Sequence, residues 1–307
     1  MTSFDLLTNL KFAQCLDCIE HELSQTTDTE EVSKLLIIAN IALMQEGSEN
    51  ILGQRPIWFT ESLEQLKSTD TQYGTYYPVL LSIEASRLFE SNNTEFADSL
   101  FHEAKSLSKS NLTNATILFS EGIYKLNHFH TPDIALKYFD EAINIFNKSE
   151  QSELFLYFHY YTITMRLFAL MLLGNNNLVV KESLALIDDI KNAKYFPLLE
   201  NCYLNIAQAY TDLKDSKNAF VFLDKNISMW EKSNNEKRIA VGLTIAAVSA
   251  ISLSDIVIAQ QYLEKRKKTW VPLDLHWNMI SNAFKQNGFL DQAKEWKWNS
   301  DYNATSA

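Results

Sequence analysis

One recurrence constrains the fold of this chain more than any other feature. Ala97-x3-Phe101-x2-Ala104 returns as Ala135-x3-Phe139-x2-Ala142. It returns more loosely as Ala219-x3-Leu223-x2-Asn226 and Ala259-x3-Leu263-x2-Arg266, and Ala293 opens one more turn. The leading alanines are separated by 38, 84, 40 and 34 residues. The gap of 84 leaves room for one further unit of about 42, over the Glu153 to Ala193 region. A period of this size marks supersecondary units that bury their apolar faces only against their neighbours.

Each alanine follows a segment with apolar residues at helical spacing. Leu81, Ala85 and Leu88 precede Ala97; Tyr203, Ile206, Ala207 and Tyr210 precede Ala219. Leu243, Ala246 and Ala247 precede Ala259; Trp277, Ile280, Ser281 and Phe284 precede Ala293. Short polar breaks such as Thr131-Pro-Asp133, Gly174-Asn-Asn-Asn177 and Lys214-Asp-Ser216 separate the segments. Small residues in the first helix and at the start of the second let two antiparallel helices approach closely, and large neighbours fill the space beside them. The stretch WNMISNAFKQNGFLDQAKEW, Trp277 to Trp296, therefore reads as a helix, a glycine stop at Gly288 and the start of a partner helix.

These residues resemble the tetratricopeptide repeat, whose pattern is W-x2-L-G-x2-Y followed by an alanine and A-x3-F. The resemblance implies an all-α fold: a right-handed superhelical α-solenoid of antiparallel helix pairs. Residues 76–298 carry the repeats, in roughly six units. Residues 1–75 form a degenerate N-terminal helical cap and 299–307 a frayed tail, all in one continuous solenoid. The 113–148 unit carries Gly122 and a longer turn, and the 153–193 unit has Val179 or Val180 where alanine is expected.

Composition agrees. Seven glycines and five prolines in 307 residues are too few for a β-sandwich or a glycine-rich nucleotide fold. A formal charge of −11 makes nucleic acid a poor partner and neutral or basic peptides easier ones. The opening residues lack a basic start and a small-residue cleavage site, and three cysteines form no disulfide framework, so the chain reads as cytoplasmic. Leu154 to Leu173 is apolar but carries His159, Arg166 and three tyrosines, which argues for a buried helix rather than membrane insertion.

Candidate chemistry is sparse. Cys15 and Cys18 with His21 lack a fourth zinc ligand, and His128 and His130 with Asp133, placed in an interhelical turn, supply no full metal set. The basic run Glu264-Lys-Arg-Lys-Lys268, before Trp270, reads as a solvated helix terminus complementing the dipole. The Asn-x-Ser/Thr matches at Asn92, Asn111, Asn147, Asn226 and Asn303 follow from asparagine abundance. No phosphate loop, Ser/His/Asp set or HExxH is present. No catalytic residue, metal or cofactor is therefore expected, and no small-molecule substrate.

The expected site is the inner face of the first helices. Asn201, Asn205, Gln208 and Asp212 share one helix face, and Asn278 and Asn282 stand one turn apart. Amides offer donor and acceptor together and can grip an extended peptide backbone. In peptide-binding proteins of the resembled family, asparagines on these faces do this. Arg166, the lone charge in an apolar stretch, either pairs with a neighbouring acid or points into the groove, where Tyr161 adds aromatic surface. The implied function is a non-catalytic adaptor that binds a protein or peptide. The alternative is a peptide-sensing regulator without its own DNA-binding domain. Either a homodimer or a hetero-complex fits.

Overall fold

The computed structural model describes residues 1–46, 55–68, 74–88, 93–269 and 274–295. Helices follow one another in pairs, and no strand occurs among the described residues. They are α1 Ser3–Thr8 and α2 Phe12–Gln25, α3 Thr29–Glu46 and α4 Ile57–Ser68, α5 Tyr76–Arg87 and α6 Thr94–Leu107, and α7 Asn111–Phe129 and α8 Pro132–Phe146. Then come α9 Glu153–Leu172 and α10 Asn176–Asn192, α11 Phe196–Asp212 and α12 Ser216–Ser233, α13 Glu236–Ser252 and α14 Ile256–Lys267, and α15 Asp274–Gln286 and α16 Leu290–Glu295. The expected tail, 299–307, lies outside the described residues, as do Trp270, Trp296 and the Asn92 and Asn303 motifs.

Packing divides the chain into two compact units, Met1–Asn205 and Ile206–Ala307. In unit 1 the odd-numbered helices form one layer, each beside the next odd one from α1 to α9, while α6 and α8 pack on the odd helix before and the odd helix after. Before residue 76, α2 follows the same rule, on α1 and α3, whereas α4 packs on α3 and α2. In unit 2, α13 packs on α12, α14 and α15, and α15 on α16.

The repeated alanines mesh these layers. Ala97, Ala135, Ala219 and Ala259 have no exposed surface and Ala293 is buried; in the irregular unit Val179 is the buried residue. The position seven residues further on is also interior throughout: Ala104, Ala142, Asn226 and Arg266. Arg266 corrects the reading of the basic run as a solvated terminus. It lies in the last turn of α14, but the repeat register turns it inward. Its Nε donates to Thr244 Oγ1 at 3.3 Å, its Nη1 to Thr269 Oγ1 at 2.6 Å, and its guanidinium lies 5.5 Å from the centre of the Trp277 ring.

Asn226 is an anomaly at the same position. It is wholly buried, and neither amide atom finds a partner among the described residues. A buried amide left unpaired costs about 1–3 kcal/mol. Asn226→Ala, restoring the residue found at the equivalent positions, should therefore raise the stability of unit 2 by about 1–2 kcal/mol. Urea unfolding checks this; a destabilised variant would show that the amide is satisfied after all.

The turns are more uniform than the sequence suggests. Gly288 has φ 82° and ends α15 as expected, but Gly174, Lys214 and Ser254 occupy the same left-handed corner after α9, α11 and α13. In all four turns the next residue donates its N–H to a carbonyl five residues back, as in Asp215 to Tyr210 at 2.9 Å and Asp255 to Ala250 at 2.9 Å. Asp215 and Asp255 then cap the following helix, accepting from Asn218 N and Ile258 N.

Candidate functional site

The sequence-predicted residues divide between the two units. In unit 1, α11 turns Asn201 and Asn205 towards α9. Asn205 is buried and donates to the Thr164 carbonyl at 3.0 Å, and Asn201 donates to Thr164 Oγ1 at 3.3 Å. Both amides thus tie one odd helix to the next, and Asn205 has little left to offer a ligand. Arg166 resolves to an ion pair: its Nε donates to Asp140 Oδ1 at 2.6 Å and its Nη1 to Glu182 Oε2 at 2.8 Å. It braces α8, α9 and α10, and the burial of a lone cation is offset by two acids. Tyr161 is half-buried, its ring 5.0 Å from Phe119 on α7.

In unit 2, Gln208 donates to Asp212 within α11 at 2.9 Å, and Asp212 is exposed. Asn278 and Asn282 are both exposed and successive on one face of α15, whose opposite face carries the buried Ile280 and Phe284. Of the expected amides, these two are the most open to a partner.

The cysteine and histidine motifs lie within α2 and at the end of α7. Cys15 is buried, with its Sγ donating to the Ser3 carbonyl at 3.2 Å, and burial pushes its thiol up to about 12. Cys202 is buried and is likewise raised to about 12. Thiols so placed are poor nucleophiles and metal ligands. The interhelical turn expected for His128 to Asp133 begins later than anticipated: α7 runs on through Phe129, His128 stacks on Tyr124, and His130 alone takes the left-handed corner. Among the described residues no group of His, Cys, Asp or Glu could hold a metal ion, and no helix is long and apolar enough to cross a membrane.

Sequence reasoning missed an aromatic notch in unit 1. Phe4 of α1 sits between Tyr157 of α9 and Tyr195, with ring centres 6.2 and 6.1 Å apart and edge-to-face geometry in both cases. Tyr195 follows the left-handed Lys194 in the α10–α11 turn, and its hydroxyl donates to the Glu153 carbonyl at 3.1 Å. Burial, then nearby Glu153, raises that hydroxyl to about 12, so it stays a donor. Tyr76 at the start of α5 stacks on Phe155 at 5.6 Å. Ring contacts thus join both α1 and α5 to the first turns of α9. The only sequence signal for this was the density of aromatic residues in Phe155 to Tyr161.

No protein-family model matches the sequence, and the search of curated proteins finds no match. Solved structures do match. A signal transduction ATPase with numerous domains, with a tetratricopeptide repeat sensor, from Pyrococcus horikoshii superposes with a TM-score of 0.58 at 15% identity. That match covers 89% of this chain and 44% of the other, so the chain spans less than half of that protein. A Rap protein complexed with competence and sporulation factor gives a TM-score of 0.57 at 13% identity, over 95% of this chain and 87% of the other. Aspartyl phosphate phosphatase F from Bacillus subtilis gives 0.56 at 11%, over 96% and 90%. The buried alanine register, the paired helices and these superpositions agree: the chain has the all-α, helix-pair fold of tetratricopeptide-like repeats.

Proposed function

We propose that this protein is a non-catalytic adaptor that binds a peptide, or an extended segment of another protein, on the exposed faces of its odd-numbered helices. The observation that carries this is the α15 face, where Asn278 and Asn282 stand open one turn apart on a helix whose other side is fully packed. Two amides at that spacing match successive backbone groups of an extended strand, at about 1 kcal/mol for each hydrogen bond made. Gln208 and Asp212 extend the polar surface of the same unit. The fold likeness to a Rap protein complexed with competence and sporulation factor supports a protein or peptide as the ligand class. It also favours a regulatory version, in which the peptide alters the binding of a second protein. The reading places the protein in the cytoplasm and assigns it no reaction.

The experiment is affinity capture from the native host, comparing wild type with the Asn278→Ala/Asn282→Ala pair. Both residues are exposed, so folding should be unchanged by circular dichroism. Loss of both amides should weaken retention of the captured partner by about ten- to thirtyfold, the equivalent of about two hydrogen bonds. Equal retention by the paired variant would remove α15 from the binding surface.

A further inference from the structure

We infer that the Tyr157–Tyr195 notch is a binding site for an aromatic side chain presented by a short helical segment, and that α1 is its resident competitor. The inference deepens the adaptor reading and rests on it: it names a second ligand chemistry, a phenylalanine followed by an acid and two leucines, as in Ser3-Phe-Asp-Leu-Leu7.

Three observations carry it. The first is the mode of seating. Phe4 enters the notch as a single ring held edge-on by two tyrosines, a geometry any aromatic side chain of suitable reach can reproduce. Every residue of α1 except Asp5 is buried, against α2 and α3 as well as in the notch. The second is intrinsic weakness. Six residues are too few to hold a helix without docking, so α1 is ordered only while seated. Its capping box closes only its first turn: Thr2 N donates to Asp5 Oδ2 at 2.9 Å, and Asp5 N to Thr2 Oγ1 at 3.2 Å. The third is the turn. Leu10, between α1 and α2, takes the left-handed corner found after α9, α11, α13 and α15, at φ 63°, but places there a bulky leucine that resists it. Exposed Asp5 is held first by its hydrogen bonds with Thr2, and the Lys194 charge beside Tyr195 adds a smaller attraction. An incoming segment with an acid next to its phenylalanine would inherit that attraction.

The test uses the full chain and a fluorescein-labelled peptide of residues 2–10. Phe4→Ala empties the notch and should bind the peptide at least tenfold more tightly than wild type; the peptide with its phenylalanine changed to alanine should not bind. Asp5→Lys, at an exposed position, loosens α1 without touching buried surface and should also bind more tightly than wild type. Hydrogen exchange provides the second readout. In wild type the α1 amides should exchange at least tenfold faster than those of α3, and Phe4→Ala should speed α1 alone. Equal peptide binding by wild type and both variants, or α1 amides that exchange only with α3, would overturn the inference. The readouts also separate it from the adaptor reading. Partner retention lost in Asn278→Ala/Asn282→Ala, with no peptide preference for Phe4→Ala, would sink the notch alone. A peptide preference together with undiminished retention by the asparagine pair would sink the α15 site and leave the notch.

Discussion

Gly122→Ala should destabilise unit 1 by about 1–2 kcal/mol, although the same exchange in an exposed helix interior gains up to about 1 kcal/mol. The sign is what matters. A Cβ on Gly122 of α7 would lie 2.5 Å from one carbon of the Phe139 ring and 2.8 Å from the next. That ring is fully buried on α8 and packs 6.2 Å from the Phe119 ring, so it has no open direction in which to retreat. Overpacking at such a place outweighs the backbone gain. Phe139→Ala removes the obstacle at a larger cost, about 3–5 kcal/mol, because the whole ring leaves a cavity. The two changes should therefore not add. The double variant should be more stable than the sum of the singles predicts by about 1–2 kcal/mol, the size expected for residues in contact. Urea unfolding of the four proteins measures this, and strict additivity would show that α7 and α8 are not held together by this contact.

What could be read from the sequence followed from physical demands repeated along the chain. Two helices that cross closely need small residues at fixed places, so Ala97, Ala135, Ala219 and Ala259 announced themselves, and all four are fully buried. Arg266 holds the same register as Ala104 and Ala142, yet a local rule about cations at helix ends obscured it. The period was the better guide. The turns were half legible. Glycine marks a left-handed corner only where it is used, and Lys214, Ser254 and His130 take that conformation without it. The exposure of a side chain was legible where it depended on helix register alone, as for Asn278 and Asn282. It was not legible where a neighbouring helix supplied a competing partner, as Thr164 does for Asn205. The notch was beyond reach, because Phe4 and Tyr195 meet through the stacking of several helix pairs and no local pattern couples them.

The interior of unit 2 also sets how the protein should respond to acid. His276 is buried on α15, with its Nδ1 3.4 Å from Thr244 Oγ1, the same hydroxyl that accepts from Arg266 Nε. Burial first, and the Arg266 charge second, lower its pKa from the ordinary 6.5 to about 4. The folded protein therefore keeps a neutral ring where the unfolded chain would take up a proton. Above pH 6.5 neither state binds that proton, and His276 contributes no slope. Between pH 6.5 and 4 the unfolded state binds more protons, so stability falls as pH falls, by up to about 3 kcal/mol at the lower end. His159 in unit 1 is shifted in the same direction by burial and should add to the acid sensitivity there. Carboxylates also titrate over this range, so the decisive comparison is with His276→Gln, which cannot take up the proton in either state. The variant should be less stable than wild type at pH 7, where the packed ring is lost, and the gap should narrow or reverse by pH 4. Urea unfolding at pH 7, 5.5 and 4 provides the measurement. Parallel pH profiles for the two proteins would mean that His276 accepts a proton as readily folded as unfolded.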